Sequence, residues 1–166
     1  MPAAFINHVS IASLIGLLVW AAVSDYRTYA IPNRVSLAIA GLYPAHVLAA
    51  PFAVEWQGAL VMGAVIVAAG FLLFRFGIVG GGDVKLLAAT SLWAGPANVL
   101  SFLLGTAVFG LILTLLTLSH LRYMRPWPAG AMAADEAAAL KLRQSVPYGI
   151  AIALGGIAIV PKLIGS

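Results

Sequence analysis

The 166-residue chain contains no cysteine, and charged side chains make up only 8% of it. The missing cysteines exclude disulfides, Cys-x-x-Cys redox chemistry and thiolate zinc sites. Soluble domains carry about 25% charged residues, so a chain with so few could not cover a soluble surface. Hydrophobic residues make up 63% of the sequence, and the mean hydropathy is +1.05. The composition therefore predicts a polytopic membrane protein.

The apolar runs predict an all-α fold with six transmembrane helices. Only helices and closed barrels satisfy the backbone in lipid, and these runs lack the alternation of barrel strands. Residues 1–8 contain no Lys or Arg, so we expect the first run to be a retained helix rather than a cleaved signal peptide. The fourth run is short for a span of about 20 residues. The predicted spans are residues 3–23, 35–54, 58–74, 84–93, 97–118 and 146–164.

The basic residues predict the orientation of these spans. With six crossings, eight of the nine Lys and Arg residues fall on one side, and only Lys162 falls on the other. The positive-inside rule makes the basic side cytoplasmic, so both termini are expected on the non-cytoplasmic side. The basic residues are thus topology signals rather than a nucleic-acid-binding face. We expect one membrane-embedded domain over residues 1–166, with a cytoplasmic loop at 119–145.

This topology places two of the five acidic residues, Asp25 and Asp83, at the same cytoplasmic membrane face. A charge at membrane depth costs roughly 3 kcal/mol on insertion scales, so a carboxylate there calls for an explanation. Two carboxyl groups sharing a proton form an aspartic-protease dyad. From the residues alone, the alternatives are proton or ion translocation and a structural acid satisfied by Lys85 or Arg27.

Three glycines, Gly80, Gly81 and Gly82, directly precede Asp83. Without a Cβ, the backbone there can turn sharply, and another segment or a substrate can approach closely. The glycines are also the expected hinge, if the two acids must move together. We expect the fourth helix to be short and led by glycine, or preceded by an unwound stretch.

Three stretches resemble the type IV prepilin peptidases. Residues 80–83 match the Gly-x-Gly-Asp motif of membrane aspartic proteases, Asp25 precedes the Ile31-Pro32-Asn33 sequence, and residues 146–153 resemble the last-helix motif of that family. Presenilin-like enzymes share Gly-x-Gly-Asp but place a Tyr-Asp pair in the preceding helix. Here the partner acid lies about two spans upstream, which favours the prepilin group.

The resemblance implies that Asp25 and Asp83 are catalytic, with no metal or other cofactor. It also implies that the enzyme removes a short basic leader from a prepilin or pseudopilin at the cytoplasmic face of a bacterial inner membrane. Because the chain has no cysteine and no room for the zinc domain of larger members, it resembles compact Flp/Tad-type peptidases, and N-methyltransferase activity is not expected. Alternatives are a preflagellin-type enzyme, a small proton-coupled transporter subunit, or a catalytically silent assembly factor.

Further residues have less specific interpretations. Family substrates commonly carry a Glu just after the cleavage point, which we expect Lys85 or Arg27 to neutralise. Pro32 and Asn33 are expected to shape the start of the second helix, with Pro32 at the first helical position and Asn33 as its cap, or to orient Asp25. Tryptophans near span ends, among them Trp93, are typical of interfacial belts.

Two groups of residues remain. In the 119–145 loop, Asp135 and Glu136 belong either to a solvated helix face or to a surface that meets the basic leader. The three histidines share no ligand-like spacing.

Overall fold

The computed structural model of the protein describes residues 2–123 and 146–164, and the described part of the chain is helical. Predictions for residues 124–145, including Asp135 and Glu136, lie outside the described residues. The helices are α1 (Pro2–Thr28), α2 (Asn33–Ala49), α3 (Trp56–Arg75), α4 (Gly81–Tyr123), α5 (Tyr148–Ala158) and α6 (Val160–Ile164). The all-helical class predicted from the sequence is confirmed.

Helix α4 contains two of the predicted segments, separated by a break at Gly95. Gly95 has φ 61° and ψ 179°, a backbone conformation that suits glycine, and Pro96 follows it directly. We call the parts on either side of the break α4a (81–94) and α4b (96–123). The glycines before Asp83 do not form an unwound stretch, because Gly81 and Gly82 already belong to the first turn of α4a.

Among the described residues, three helices are long and apolar enough to cross a membrane, namely Pro2–Thr28, Trp56–Arg75 and Gly81–Ser119. These helices are those of a multi-pass membrane protein by their length and composition. Helix α2 has 17 residues and ends at Ala49 rather than at residue 54 as predicted. Pro51 follows closely, and the residue before a proline is disfavoured in the helical region.

The core lies where α1, α2, α4 and α5 meet. Its fully buried side chains come from all four helices, and α3 packs on α4 at the edge of this core. Trp93 is buried, at 2% exposure, and donates from Nε1 to the carbonyl oxygen of Ile39 at 3.0 Å. The expectation that Trp93 lies in an interfacial belt is therefore wrong. The largest fully buried aliphatic residues are Leu14, Leu18, Ile39, Leu86, Ile152 and Ile159.

Candidate active site

Asp25 lies in the last turn of α1 and is buried, at 5% exposure. Its Oδ2 accepts a 2.7 Å hydrogen bond from the backbone N–H of Gly149. Gly149 stands in the first turn of α5, where backbone N–H groups have no partner within the helix. The start of α5 therefore supplies a main-chain donor that fixes the Asp25 carboxyl group and favours negative charge beside it.

Close packing at Gly149 makes this hydrogen bond possible. A Cβ at this position would lie 2.9 Å from Oδ2 of Asp25 and 2.9 Å from Cδ1 of Ile31. Real Cβ atoms are essentially never so close to such neighbours, so glycine lets the α5 backbone reach the carboxyl group.

Asp83 lies in the first turn of α4a and is half-buried. Gly82, the residue before Asp83, lies against Ile31, which also contacts Gly149 beside the Asp25 carboxyl group. The structure thus brings together the two acidic residues that the sequence analysis selected, although they stand on different helices.

Ile31 joins the segments that carry the two acids. It is 8% exposed, and its Cδ1 packs against Gly149. A Cβ on Gly82 would lie 3.3 Å from Cβ of Ile31. The side chain of Ile31 therefore sits between the start of α4a and the start of α5. Glycine on both helices allows this close approach.

The loop that carries Ile31 is anchored to the end of α1. Oγ of Ser24 donates to the carbonyl oxygen of Ala30 at 2.9 Å, and Oγ1 of Thr28 donates to the same oxygen at 3.3 Å. Tyr29 has φ +50°, in the left-handed region that non-glycine residues seldom occupy. These contacts reverse the chain directly after Asp25. Sequence reasoning missed the roles of Ser24, Thr28 and Ile31, although all three lie in the stretch that carries the resemblance.

The glycines before Asp83 serve close approach rather than an unusual backbone conformation. Among the glycines that the structure describes, those with positive φ are Gly77 and Gly95, and the three at 80–82 are not among them. A Cβ on Gly80 would lie 2.8 Å from Oδ2 of Asp83. The expected close approach at this motif is therefore present, while the left-handed turn lies at Gly77, upstream of the motif.

Lys85 and Asn33 are connected by a hydrogen bond from Nζ to Oδ1 of 2.8 Å. Asn33 does not cap α2, because Pro32 occupies the cap position and no side chain caps this helix end. The predicted arrangement with Pro32 at the first helical position and Asn33 as cap is therefore wrong, since the amide oxygen of Asn33 is bound to Lys85. Arg27, by contrast, is exposed and has no side-chain partner among the described residues.

A sequence profile of the type IV leader peptidase family matches residues 12–115, which include both acids and the glycine motif. The chain belongs to the type IV leader peptidase family. No curated protein and no solved structure matches the chain at a significant level. Members of this family are aspartic peptidases that process prepilins, so this peptidase is an aspartic prepilin peptidase.

Hydrolysis by an aspartic peptidase needs two neighbouring carboxyl groups. A paired acid and base can activate water and protonate a carbonyl oxygen without a covalent intermediate. Within the part of the chain that the structure describes, no three His, Asp or Glu residues are grouped so as to hold a metal ion.

Proposed function

We propose that Asp25 and Asp83 form the catalytic dyad of this peptidase. We further propose that it removes the short basic leader of a prepilin or pseudopilin at the cytoplasmic membrane face, just before the hydrophobic segment of the substrate. The observation that carries this proposal is the buried Asp25 carboxyl group, held by the N–H group of Gly149 and connected through Ile31 to Gly82, the residue before Asp83.

The reaction follows from the chemistry of two neighbouring carboxyl groups. The ionised one takes a proton from water, and the resulting hydroxide attacks the scissile carbonyl carbon. The protonated one donates to the carbonyl oxygen, so a neutral tetrahedral intermediate forms. When the C–N bond breaks, the leaving nitrogen takes a proton from the first carboxyl group and the intermediate returns one to the second. Both groups regain their initial states.

The proposed topology is the one expected from the charges: six spans, both termini on the non-cytoplasmic side, and a single domain in a bacterial inner membrane. The described helices support it, because each of the six predicted apolar runs coincides largely with a helix or a helix part. The start of α4a, the end of α1 and the start of α5 then share the cytoplasmic level. A scissile bond between a cytoplasmic leader and a membrane helix would also lie at that level.

The proposal includes the likeness to compact Flp/Tad-type peptidases, and N-methylation is not part of the proposed activity. Lys85 is the better candidate than Arg27 for neutralising a substrate acid. Its ammonium group lies on α4a two residues after Asp83, and its described partner is a neutral amide oxygen. An acid at membrane depth usually needs a cationic partner.

The test is cleavage of a Flp-type prepilin co-expressed with wild type, Asp25→Asn or Asp83→Asn. Asparagine keeps the shape and removes the titrating proton, so processing is expected to stop in both variants at unchanged protein levels. Glu55→Gln, in the connection between α2 and α3, provides a matched acid-to-amide control that should process normally. Continued cleavage by either aspartate variant would show that the two-carboxylate mechanism is wrong.

A further inference from the structure

A groove of about 500 Å³ lies between α2 and α3, with α4a as its floor. Helices α2 and α3 each pack against α4, but contacts between their described residues are at most marginal. The groove therefore lies between two helices that both pack on α4 but hardly contact each other. Its walls include Leu37 of α2, which is 71% exposed, and Leu60 of α3, which is also exposed.

Small residues create the space inside this groove. Ala40, Ala64, Ala88 and Ala89 line it with single methyl groups, and Gly63 adds none. A Cβ on Gly63 would lie 2.8 Å from Cδ2 of Leu92, so glycine also lets α3 sit tightly on α4a. The groove therefore results from small side chains on three helices rather than from loose packing between the helices.

The groove has a polar end that adjoins the candidate active site. Nine of its twelve lining residues are apolar or glycine, and the other three are Asn33, Ser36 and Lys85. Asn33 and Ser36 lie in the first turn of α2, shortly after Ile31, and Lys85 shortly follows Asp83. The apolar lining residues of α2 and α4a follow further along these two helices.

Charge at this polar end points to the kind of molecule that binds there. Lys85 has Asn33 as its described partner, and no acidic residue pairs with it in residues 2–123 or 146–164. The hydroxyl group of Ser36 is buried without a hydrogen-bond partner in the same described part of the chain. A cation and a spare hydroxyl group at one end of an apolar groove suit a hydrophobic segment that carries an acid near its start.

We propose that this groove binds one face of the hydrophobic segment of the prepilin, with the start of that segment beside Lys85. A helix with its side chains is about 10–12 Å wide, so the groove receives the side chains of one helix face, as in other helix-in-groove complexes. The gap between α2 and α3 lets such a helix dock sideways from the membrane. This inference rests on the proposed function, because it assumes cleavage beside Asp25 and Asp83.

Cross-linking tests the position of the substrate directly, since the chain has no cysteine of its own. Leu37→Cys and Ala64→Cys introduce single thiols in the groove, and Ala69→Cys introduces one elsewhere on α3. Ala64 and Ala69 are both exposed, and five residues turn a helix by about 140°. The partner is a prepilin with one cysteine in the first turns of its hydrophobic segment, treated in membranes with a short bismaleimide.

We expect the two groove positions to form at least about tenfold more enzyme–prepilin product than Ala69→Cys. An equal amount of product at Ala69→Cys, or no product at either groove position, would overturn the proposal. The groove would then be occupied by lipid chains. Each variant is also made with Asp83→Asn. Cleavage by that combination would refute the catalytic assignment, whatever the cross-linking pattern, so the two failures are distinguishable.

Filling the groove supplies a kinetic test. Ala64→Trp should raise KM for a full prepilin at least about tenfold with kcat little changed, whereas Ala69→Trp should leave both unchanged. A junction peptide that lacks most of the hydrophobic segment should be cleaved equally by both variants and wild type. Unchanged KM for the full prepilin in Ala64→Trp, or an equal loss with the junction peptide, would contradict a groove that binds the hydrophobic segment.

Discussion

The backbone N–H of Gly149 lies 2.7 Å from Oδ2 of Asp25, although 124 residues separate them in sequence. This hydrogen bond ties the start of α5 to the end of α1. Ile31 fills the space beside it and also touches Gly82 at the start of α4a. Three helix ends thus meet around one buried carboxyl group, and each end contributes either a glycine or the acid itself.

Gly149→Ala should reduce kcat strongly. The added methyl group would lie 2.9 Å from the Asp25 carboxyl oxygen, so the backbone or the carboxyl group must move. A hydrogen bond to a charged group contributes about 1.5–3 kcal/mol, and each 1.4 kcal/mol is tenfold in rate. We expect a loss of about tenfold to a hundredfold in steady-state cleavage of a junction peptide.

The control for this variant is Gly16→Ala in α1, where an added Cβ meets nothing within 4 Å. Its kcat should equal that of wild type. Normal kcat in Gly149→Ala would show that the hydrogen bond to Asp25 does not contribute to the chemistry.

Substitutions of Gly82 should reduce activity in proportion to the size of the side chain. A Cβ there would lie 3.3 Å from Cβ of Ile31, a distance that small shifts can relieve. Gly82→Ala should therefore lose activity modestly. Gly82→Val adds two further carbons, and overpacking costs about 1–3 kcal/mol. We expect kcat to fall in the order Gly, Ala, Val at equal protein levels, and full activity in Gly82→Val would exclude a need for glycine at this contact.

The scarcity of charge in the sequence selected the two acids, and the uneven distribution of positive residues predicts that they share a membrane face, which stays a prediction. The all-helical class followed from the apolar runs, because they lack the alternation of barrel strands. The ends of helices were less predictable. The cap of α2 was assigned wrongly because capping statistics describe isolated helix ends, whereas Asn33 is held by Lys85 on α4a.

Contacts between distant segments account for the other missed features. Trp93 was expected at a membrane interface, but its indole group finds the Ile39 carbonyl oxygen inside the protein. The hydrogen bond between Gly149 and Asp25 likewise depends on how α5 packs against α1, which no local pattern specifies. The loop contacts of Ser24 and Thr28 were easier to anticipate from the sequence, since both residues lie within three positions of Asp25.

Lys85 and Arg27 can be separated by matched neutral substitutions. Lys85→Gln should raise KM for a prepilin with a Glu after the cleavage point, because the substrate acid loses its cationic partner. Arg27→Gln should leave KM unchanged, since Arg27 does not line the groove beside which the substrate acid is proposed to lie, whereas Lys85 does. The measurement is the steady-state KM of each variant with the Glu substrate and with its Glu→Gln version.

The effects on KM of Lys85→Gln in the enzyme and of Glu→Gln in the substrate should not be additive. The Glu→Gln substrate should bind wild type and Lys85→Gln with similar KM, which gives a coupling energy in a double-mutant cycle. Additive effects would exclude a direct interaction between Lys85 and the substrate acid. The same coupling found with Arg27→Gln instead would transfer the role to Arg27.

A buried polar pair far from the two acids should affect stability without affecting catalysis. Nδ1 of His46 lies 2.6 Å from Oδ1 of Asn7, and the imidazole ring stacks on Trp93 with ring centroids 5.0 Å apart. His46 stands thirteen residues beyond Asn33, or about 20 Å along α2. Asn7→Leu leaves the buried imidazole group without its partner, which costs about 1–3 kcal/mol. Thermal unfolding in detergent should show a lower midpoint, while kcat of the folded enzyme stays unchanged.

The double variant Asn7→Leu/His46→Leu separates the polar pair from simple packing. Replacing both partners by apolar groups can be nearly neutral, because neither leaves a buried polar atom unsatisfied. The double variant should therefore unfold at a higher temperature than Asn7→Leu alone. If it were less stable than either single variant, packing of the imidazole ring on Trp93 would outweigh its hydrogen bond to Asn7. A fall in kcat in Asn7→Leu would instead show that this distant pair is coupled to the two acids, contrary to the prediction.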